Sequence, residues 1–219
     1  MYTQKMTMEE RLLAADVAIS NAIGDEVIME RLSFLGYDET RVTAGYELFK
    51  RVRELYNEQK KEYGEQFKAS DAMYKAWESA RVLYRQYSTL ARVLFKNDTG
   101  ILSNLGLDKE QASKLANWVT QANQFYTNAM NTREIQDKMV EYTVTKERLQ
   151  AALEEVNQLL KYEKDQEKEK SEAQKATDER DKAFSQLDEF MYNLLQIAKV
   201  MLYDNPQLLE KMGIVAPSE

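Results

Sequence analysis

The sequence predicts an all-α protein in which two tandem copies of a three-helix unit follow one another along the chain. Three observations support this fold class. The chain of 219 residues contains only 7 Gly and 2 Pro, its apolar residues recur at spacings of three and four, and matching residues recur at one constant offset. Sheet proteins need turn residues about every 8–12 positions, so this scarcity of helix breakers favours long helices.

Composition limits the class of protein further. Apolar residues make up 43% of the chain and charged residues 31%, which is enough to bury a core and argues against a disordered tail. The absence of Cys excludes a disulfide framework and suits a reducing compartment, so we expect a cytoplasmic protein. The first twenty residues lack the order of a signal peptide, and no apolar run is long enough to span a membrane.

Net charge argues against two classes of partner. The formal net charge is −7, and most of the acidic excess lies in the second half of the chain. Phosphate backbones and anionic lipid surfaces attract an excess of Lys and Arg. We therefore expect neither nucleic acid nor a membrane as the partner.

An internal repeat is the most informative feature of the sequence. The segment Lys68-Ala69-Ser70-Asp71 matches Lys175-Ala176-Thr177-Asp178, and the two lie 107 residues apart. At the same offset, Ala91-Arg92-Val93-Leu94 matches Ala198-Lys199-Val200-Met201. One constant offset over most of the chain predicts an old duplication. The predicted copies are residues 1–107 and 108–219.

Apolar spacing places the helices within each copy. A first helix is predicted over about 8–34 and again over about 109–141, and a long region without strong breakers follows at 39–96. Its later part alternates apolar residues at four and three, as in a coiled-coil-like bundle. That seam consists of Met73, Trp77, Ala80, Tyr84, Tyr87, Ala91 and Leu94.

The middle of this long region is polar, and two structures fit it. The chain could turn within residues 57–72 and 164–179, near Ser70 and Thr177, which would make each copy an up-down-up three-helix bundle with a polar tip. Alternatively, each region forms one continuous helix, and the two long helices run antiparallel. Few turn residues favour the continuous helix, and the polar composition favours the hairpin.

Each copy ends with the signature of a short capped helix. In the second copy, Asp204-Asn205-Pro206 supplies an N-cap with Pro at the first helical position, and Gly213 with Ile214 gives a left-handed C-cap with its apolar contact. The first copy has Asn97-Asp98-Thr99 and then Gly106-Leu107 at the equivalent places.

Several segments resemble a family of uncharacterised bacterial all-helical proteins. The resemblance covers most of the chain and rests on four segments: Phe34–Glu39, Lys61–Gln66, Glu169–Thr177 and Pro206–Ile214. One departure is Ser171, where that family carries Gly. The resemblance implies a bacterial cytoplasmic source and brings no activity with it.

Residue content excludes the common catalytic and metal chemistries. The chain has no His and no Cys, which removes nucleophile–His pairs, zinc sites of His and Cys, and the Glu-x-x-His di-iron site of helical bundles. Neither of the Gly-rich phosphate-binding loops is present. Adjacent acids such as Glu9-Glu10 point in different directions on a helix. We expect no enzyme activity, no catalytic residues, no metal and no cofactor.

One helical stripe is a candidate interaction surface. The first copy carries aromatic residues where the second has Glu163, Lys170, Gln174 and Asp181, so the fold of a copy does not need them. Tyr and Arg are the residues enriched at interface hot spots. The candidate surface consists of Tyr56, Tyr63, Phe67, Tyr74, Arg81 and Arg85. An alternative is that these aromatics cover the polar arm of the second copy.

The sequence therefore predicts a non-enzymatic helical scaffold or protein-interaction module. Its partner would be another protein or a second copy of the same chain. The alternative is a small-ligand-binding or regulatory bundle with a Tyr-lined pocket between helices.

Overall fold

The computed structural model describes residues 5–215, and residues 1–4 and 216–219 lie outside this range. Within the described range the chain forms helices and no strand, which confirms the all-α prediction. The helices are α1 (Met8–Gly24), α2 (Glu26–Ser33), α3 (Glu39–Leu94), α4 (Thr99–Asn104), α5 (Leu115–Asn131), α6 (Arg133–Val140), α7 (Lys146–Met201) and α8 (Pro206–Lys211).

The helix boundaries follow the offset found in the sequence. Helices α1 to α4 each begin and end 107 residues before their counterparts α5 to α8. The paired helices therefore have equal lengths of 17, 8, 56 and 6 residues. Every position of α1 to α4 therefore has a counterpart in α5 to α8. Each structural feature of one set of helices can be compared with the equivalent position in the other.

The polar middle of each long region is helical, and the hairpin alternative is wrong. Both α3 and α7 are continuous over 56 residues. Lys, Glu and Gln are good helix formers, and ion pairs three or four residues apart support an exposed helix. Lys75 lies 2.7 Å from Asp71, and Lys170 lies 3.7 Å from Glu167. A turn would forfeit these contacts and gain no apolar burial.

The first predicted helix is divided in two, and the prediction of one helix over 8–34 was wrong on this point. Asp25 is extended (φ −117°, ψ 109°), and its carboxylate accepts hydrogen bonds from the amides of Val27 and Ile28 at 3.0 and 3.2 Å. An N-cap carboxylate satisfies amides that a helix start leaves without partners. The counterpart helix divides at Thr132.

The chain folds into two compact units whose boundaries lie inside the long helices. Unit 2 comprises residues 64–171, and unit 1 comprises the residues before and after this range. Each unit therefore combines the first part of one predicted copy with the second part of the other. The boundary between residues 107 and 108 describes the duplication and stays a prediction.

The core of unit 1 is built from α1, α2, α8 and one end of each long helix. Its fully buried side chains include Ile19, Ile28 and Leu187. Phe190 packs directly on the backbone of α3 at Gly45, where a Cβ would lie 2.0 Å from a ring atom. Gly at this position therefore makes room for Phe190.

Unit 1 also contains a mostly buried ion pair. Arg11 in α1 lies 2.5 Å from Asp188 in α7, and its guanidinium stacks over the ring of Phe184 at 4.8 Å. The counterparts of these residues in unit 2 are Trp118, Arg81 and Trp77. Both units therefore pack an Arg against an aromatic ring at this position. The Arg comes from α1 in unit 1 and from α3 in unit 2.

The short helices have the predicted caps. Asp98 accepts a hydrogen bond from the amide of Ile101 at 2.9 Å, and Asn205 accepts one from Leu208 at 3.2 Å. Gly106 and Gly213 both have positive φ, as the left-handed C-cap requires.

One left-handed position is filled by a β-branched residue. Gly36 and its counterpart Thr143 follow α2 and α6 at φ +79° and +65°. A Cβ crowds the following carbonyl in this conformation, which costs about 1–2 kcal/mol. In part compensation, Arg148 donates hydrogen bonds to the carbonyl oxygen and to Oγ1 of Thr143 at 2.9 and 3.2 Å.

Replacing Thr143 with Gly is expected to raise the free energy of unfolding by about 1 kcal/mol, because it relieves the left-handed strain. Urea denaturation followed by circular dichroism measures this gain. The matched control is Gly36→Thr, which should lose a similar amount. A loss of stability in Thr143→Gly would show that the Oγ1 contact outweighs the strain.

Replacing Asp188 with Ala is expected to lower the free energy of unfolding by about 2 kcal/mol, because it leaves the mostly buried guanidinium of Arg11 without this carboxylate. The double variant Arg11→Met with Asp188→Leu should recover at least half of the loss. The single variants Arg11→Met and Asp188→Leu complete the double-mutant cycle, and additive losses in these two variants would contradict a coupled pair.

Candidate functional site

The six residues of the predicted interaction surface all lie on α3, but they belong to two units. Tyr56 and Tyr63 are in unit 1, and the other four residues are in unit 2. Their surroundings differ enough that each unit has to be taken by itself.

In unit 1, Tyr56 is part of the folded core. Its ring is buried and packs edge to face on Phe184, with centroids 6.3 Å apart. Its hydroxyl donates a hydrogen bond to the carboxylate of Glu9, and the ammonium of Lys60 lies 4.3 Å from the ring centroid. The hydrogen bond from Tyr56 is the main cause that lowers the pKa of Glu9. Tyr56 therefore packs between α1 and α3, and its ring is not exposed for binding another protein.

In unit 2, Phe67 and Tyr74 face solvent. The exposed fractions of their side chains are 69% and 60%, against 39% for Tyr63 at the end of unit 1. The two residues are one heptad apart, so they project from nearly the same side of α3. The alternative in which these aromatics are covered by the polar arm of the second copy does not describe Phe67 and Tyr74.

Two arginines continue this side of α3. Arg81 is half-buried, donates a hydrogen bond to Glu78 at 3.0 Å and lies 5.4 Å from the ring centroid of Trp77. Arg85, one turn further along, is exposed. The guanidinium of Arg81 is therefore held in place before any partner arrives. We call Phe67, Tyr74, Arg81 and Arg85 the α3 stripe.

The counterpart side of α7 is polar. Phe67 corresponds to Gln174 and Tyr74 to Asp181. Gln174 donates to Asp178 at 2.9 Å, and Arg180 lies 2.6 Å from Asp181. Local polar contacts are sufficient for a helix at these positions, so the exposed aromatics of the α3 stripe are not required to form the helix.

The interior tyrosines of unit 2 belong to an aromatic cluster. Tyr84 from α3 packs against Trp118, Phe125 and Tyr126 from α5, with ring centroids 5.4–6.2 Å apart and planes near perpendicular. Burial raises the pKa of Tyr84 to about 12 and raises the pKa of Tyr126 further. This edge-to-face geometry is that of core packing. The sequence carried a signal for the α5 side, since Trp118, Ala122, Phe125 and Ala129 share one helical face.

A groove in unit 1 is a second candidate surface, and the sequence did not predict it. It has a volume of about 430 Å³. One wall is a side of α1 that carries Leu13, exposed by 65%, and Val17, exposed by 40%. The complete lining is Met6, Glu10, Leu13, Ala14, Val17, Leu195, Met212 and Gly213. The apolar residues of α1 did not reveal this groove, because the regular core face of Leu12, Ala15 and Ile19 already accounts for an apolar helix.

Unit 2 contains two neighbouring carboxylates that could contribute to binding a cation. Oxygen atoms of Glu65 and Glu169 lie within 4.8 Å of each other. Mg²⁺ and Ca²⁺ take about six to eight ligands, so these two partly buried carboxylates would need further ligands to hold either ion.

In comparisons with known proteins, no family model, no curated protein and no solved structure matches this chain. Among the helices of residues 5–215, none combines the length and the apolar character that crossing a bilayer requires.

Replacing Tyr126 with Phe is expected to raise the free energy of unfolding by about 1 kcal/mol at neutral pH. The Tyr126 hydroxyl is fully buried, and it makes no hydrogen bond to any group in residues 5–215. Urea denaturation gives the value, with exposed Tyr74→Phe as the control. A destabilised variant would show that the hydroxyl makes a favourable hydrogen bond.

The same variant tests the raised pKa of Tyr126. An unfolded tyrosine has a pKa of about 10, so the unfolded chain loses this proton first. Wild-type stability is therefore unaffected by this ionisation below pH ~10 and falls as the pH rises above it, because only the unfolded chain then gives up the proton. Tyr126→Phe should therefore gain further on wild type above pH ~10. An unchanged difference would contradict the raised pKa.

Proposed function

We propose that this chain is a non-enzymatic helical interaction module that binds another protein through the α3 stripe of unit 2. One observation carries the proposal: Phe67 and Tyr74 are more than half exposed on a helix face that is otherwise polar. Their α7 counterparts show that the fold can dispense with aromatics at these positions.

The chemistry of the stripe suits a protein partner. Aromatic side chains contribute large contact areas at low entropic cost, and Arg adds directed hydrogen bonds, which is why both are enriched at interface hot spots. Arg81 is already oriented by Glu78 and Trp77. A preoriented guanidinium loses less entropy when it binds.

Other partner classes fit this surface less well. A net charge of −7 disfavours nucleic acid and anionic membranes. Without His or Cys the chain lacks the usual groups for acid–base and nucleophilic catalysis at neutral pH. The buried Tyr84 and Tyr126 pack against other rings, so the proposal does not include a Tyr-lined ligand pocket.

The origin of the chain is part of the proposal. Equal helix lengths at one constant offset support a duplicated ancestral unit, with copies at residues 1–107 and 108–219. After duplication the two copies could diverge, and the α3 stripe would be a specialisation of the first copy. The lack of Cys suits action in the cytoplasm.

A photoreactive phenylalanine analogue placed at Tyr74 in the native host is expected to yield one crosslinked protein partner. The matched control places the same analogue at Tyr192, an exposed tyrosine on α7 in unit 1. The partner should be identified by mass spectrometry, and the crosslink should disappear when Phe67 is changed to Ser.

With the purified partner, Phe67→Ser combined with Tyr74→Ser should weaken binding by at least about tenfold, since two aromatic contacts are lost. The melting temperature should stay close to wild type, because both side chains are mostly exposed. Equal crosslinking from positions 74 and 192 would contradict the proposal. Crosslinks only between copies of this chain would make self-association its function.

A further inference from the structure

The part of α3 that carries the α3 stripe has the opposite charge to the chain as a whole. Residues 74–94 contain four basic residues and one acidic residue, whereas their α7 counterparts, residues 181–201, contain two basic and three acidic residues. The net charge of the chain is −7. A basic stretch of helix therefore continues from the exposed aromatics Phe67 and Tyr74 in unit 2, and the equivalent stretch of α7 is weakly acidic.

Unit 1 shows how a charged residue is used at the position of Arg81. The counterpart of Arg81 is Asp188, which forms the mostly buried ion pair with Arg11. The counterpart of Arg11 in unit 2 is Trp118, which carries no charge. The charge on the long helix is therefore reversed in unit 2, and the residue that would pair with it from α5 is neutral.

Arg81 keeps hydrogen-bonding capacity that the fold does not use. Its Nη1 donates to Glu78 at 3.0 Å, and both side chains of this pair are partly exposed. Exposed ion pairs within one helix contribute little to stability, and a guanidinium has five N–H donors. The Nε of Arg81 makes no hydrogen bond to any group in residues 5–215. The exposed part of this guanidinium can therefore bind a second carboxylate.

Arg85 supplies a second guanidinium on the same side of α3. It is exposed, and no carboxylate of residues 5–215 forms an ion pair with it. The two arginines are four residues apart, which places them about 6 Å apart along the helix axis. Arg92, further along α3, instead donates to the backbone carbonyls of Leu107 and Lys109. The unused donors of the stripe are therefore concentrated at Arg81 and Arg85.

We propose that the α3 stripe binds an acidic segment of a partner protein. This segment has large apolar side chains at one end, which contact Phe67 and Tyr74, and at least two carboxylates at the other, which pair with Arg81 and Arg85. The inference rests on the proposed function, because it specifies the partner of the same surface. Arg pairs with carboxylates through two parallel hydrogen bonds, so the arginines favour Asp and Glu in a defined position.

A short acidic segment fits this surface better than a long polyanion. The basic residues are confined to one stretch of α3, and the net charge of the whole chain is negative. A nucleic acid extends beyond such a stretch and is repelled by the remaining charge of the chain. The carboxylates of a protein segment can end where the arginines end, and apolar side chains can continue along the aromatics.

A peptide selection tests both parts of the segment. A phage-displayed library of peptides about 18 residues long, the length of helix from Phe67 to Arg85, is selected on the wild-type chain. Counter-selection uses the double variant Phe67→Ser with Tyr74→Ser. The most frequent peptide is made with a fluorescein label, and its Kd is measured by fluorescence anisotropy. We expect a consensus with at least two large apolar residues and at least two Asp or Glu residues.

Changing both arginines, Arg81→Gln with Arg85→Gln, should raise the Kd of this peptide by about tenfold or more, because two charge pairs are lost. The matched control is Lys68→Gln with Lys75→Gln, which removes two exposed charges from other sides of α3 in unit 2. It should change the Kd by less than about threefold. Melting temperatures show whether each variant is folded.

Arg85→Glu is the second variant, because Arg85 is exposed and its replacement should leave the fold intact. It should bind the selected peptide more weakly than wild type by about tenfold. A second peptide, with Lys in place of the acidic residues, should bind Arg85→Glu more tightly than wild type. A loss of stability cannot produce this reversal of preference.

The outcomes separate this inference from the proposed function. A consensus that requires Phe67 and Tyr74 but has no acidic residues, or a Kd unchanged in the arginine variants, overturns the acidic segment and leaves the stripe as a binding surface. Equal binding to wild type and to the Phe67→Ser with Tyr74→Ser variant, or no enriched peptide, overturns both.

Two further measurements identify other occupants. Binding of a fluorescein-labelled single-stranded oligonucleotide more tightly than the peptide, with loss of this binding in the arginine variants, would make nucleic acid the ligand and overturn the acidic segment. Concentration-dependent dimerisation, measured by light scattering and abolished in the arginine variants, would make a second copy of the chain the occupant and overturn a different protein as partner.

Discussion

The structure depends on two helices that are too long to bury their apolar faces in one small core. A helix is stabilised in water mainly by packing an apolar face, and α3 carries such faces at both ends with a polar stretch between them. Its early part gives Val42, Phe49 and Val52 to the core of unit 1, and its late part gives Ala80, Tyr84 and Ala91 to the core of unit 2. Two separate cores on continuous helices follow from this distribution.

The correspondence between the two units shows which features the fold requires. The short helices α4 and α8 are capped in the same way, with a side-chain N-cap at one end and a Gly of positive φ at the other. Asn21 donates a hydrogen bond to the carbonyl of the last residue of α8 at 2.7 Å, and Asn128 donates one to that of α4 at 2.6 Å. Elsewhere the units solve the same packing problem differently, as with Arg11 and Phe184 in unit 1 and their counterparts Trp118 and Trp77 in unit 2. The shared contacts are requirements of the architecture, and the differences leave room for function.

The candidate surfaces of the two units lie where the units differ. The α3 stripe is aromatic where α7 is polar, and the groove on α1 is apolar where α5 carries amides. Neither difference is needed to fold a unit, because the counterpart folds with other residues. An exposed apolar side chain that does not contribute to folding stays in contact with water and does not stabilise the unit. Binding a partner provides a reason to keep it.

The sequence by itself determined the all-α class, the offset of 107 residues and the caps of the short helices, because each depends on neighbours within a few residues or on a direct match. It also located Phe67 and Tyr74, since their polar counterparts mark them as dispensable to the fold. Tertiary structure decided that Tyr56 is buried against Glu9 and Phe184 and that α1 borders a groove. It also decided that each compact unit combines the first part of one predicted copy with the second part of the other. These depend on which distant segments pack together, and helical periodicity gives the face of a residue but not its neighbour across the core.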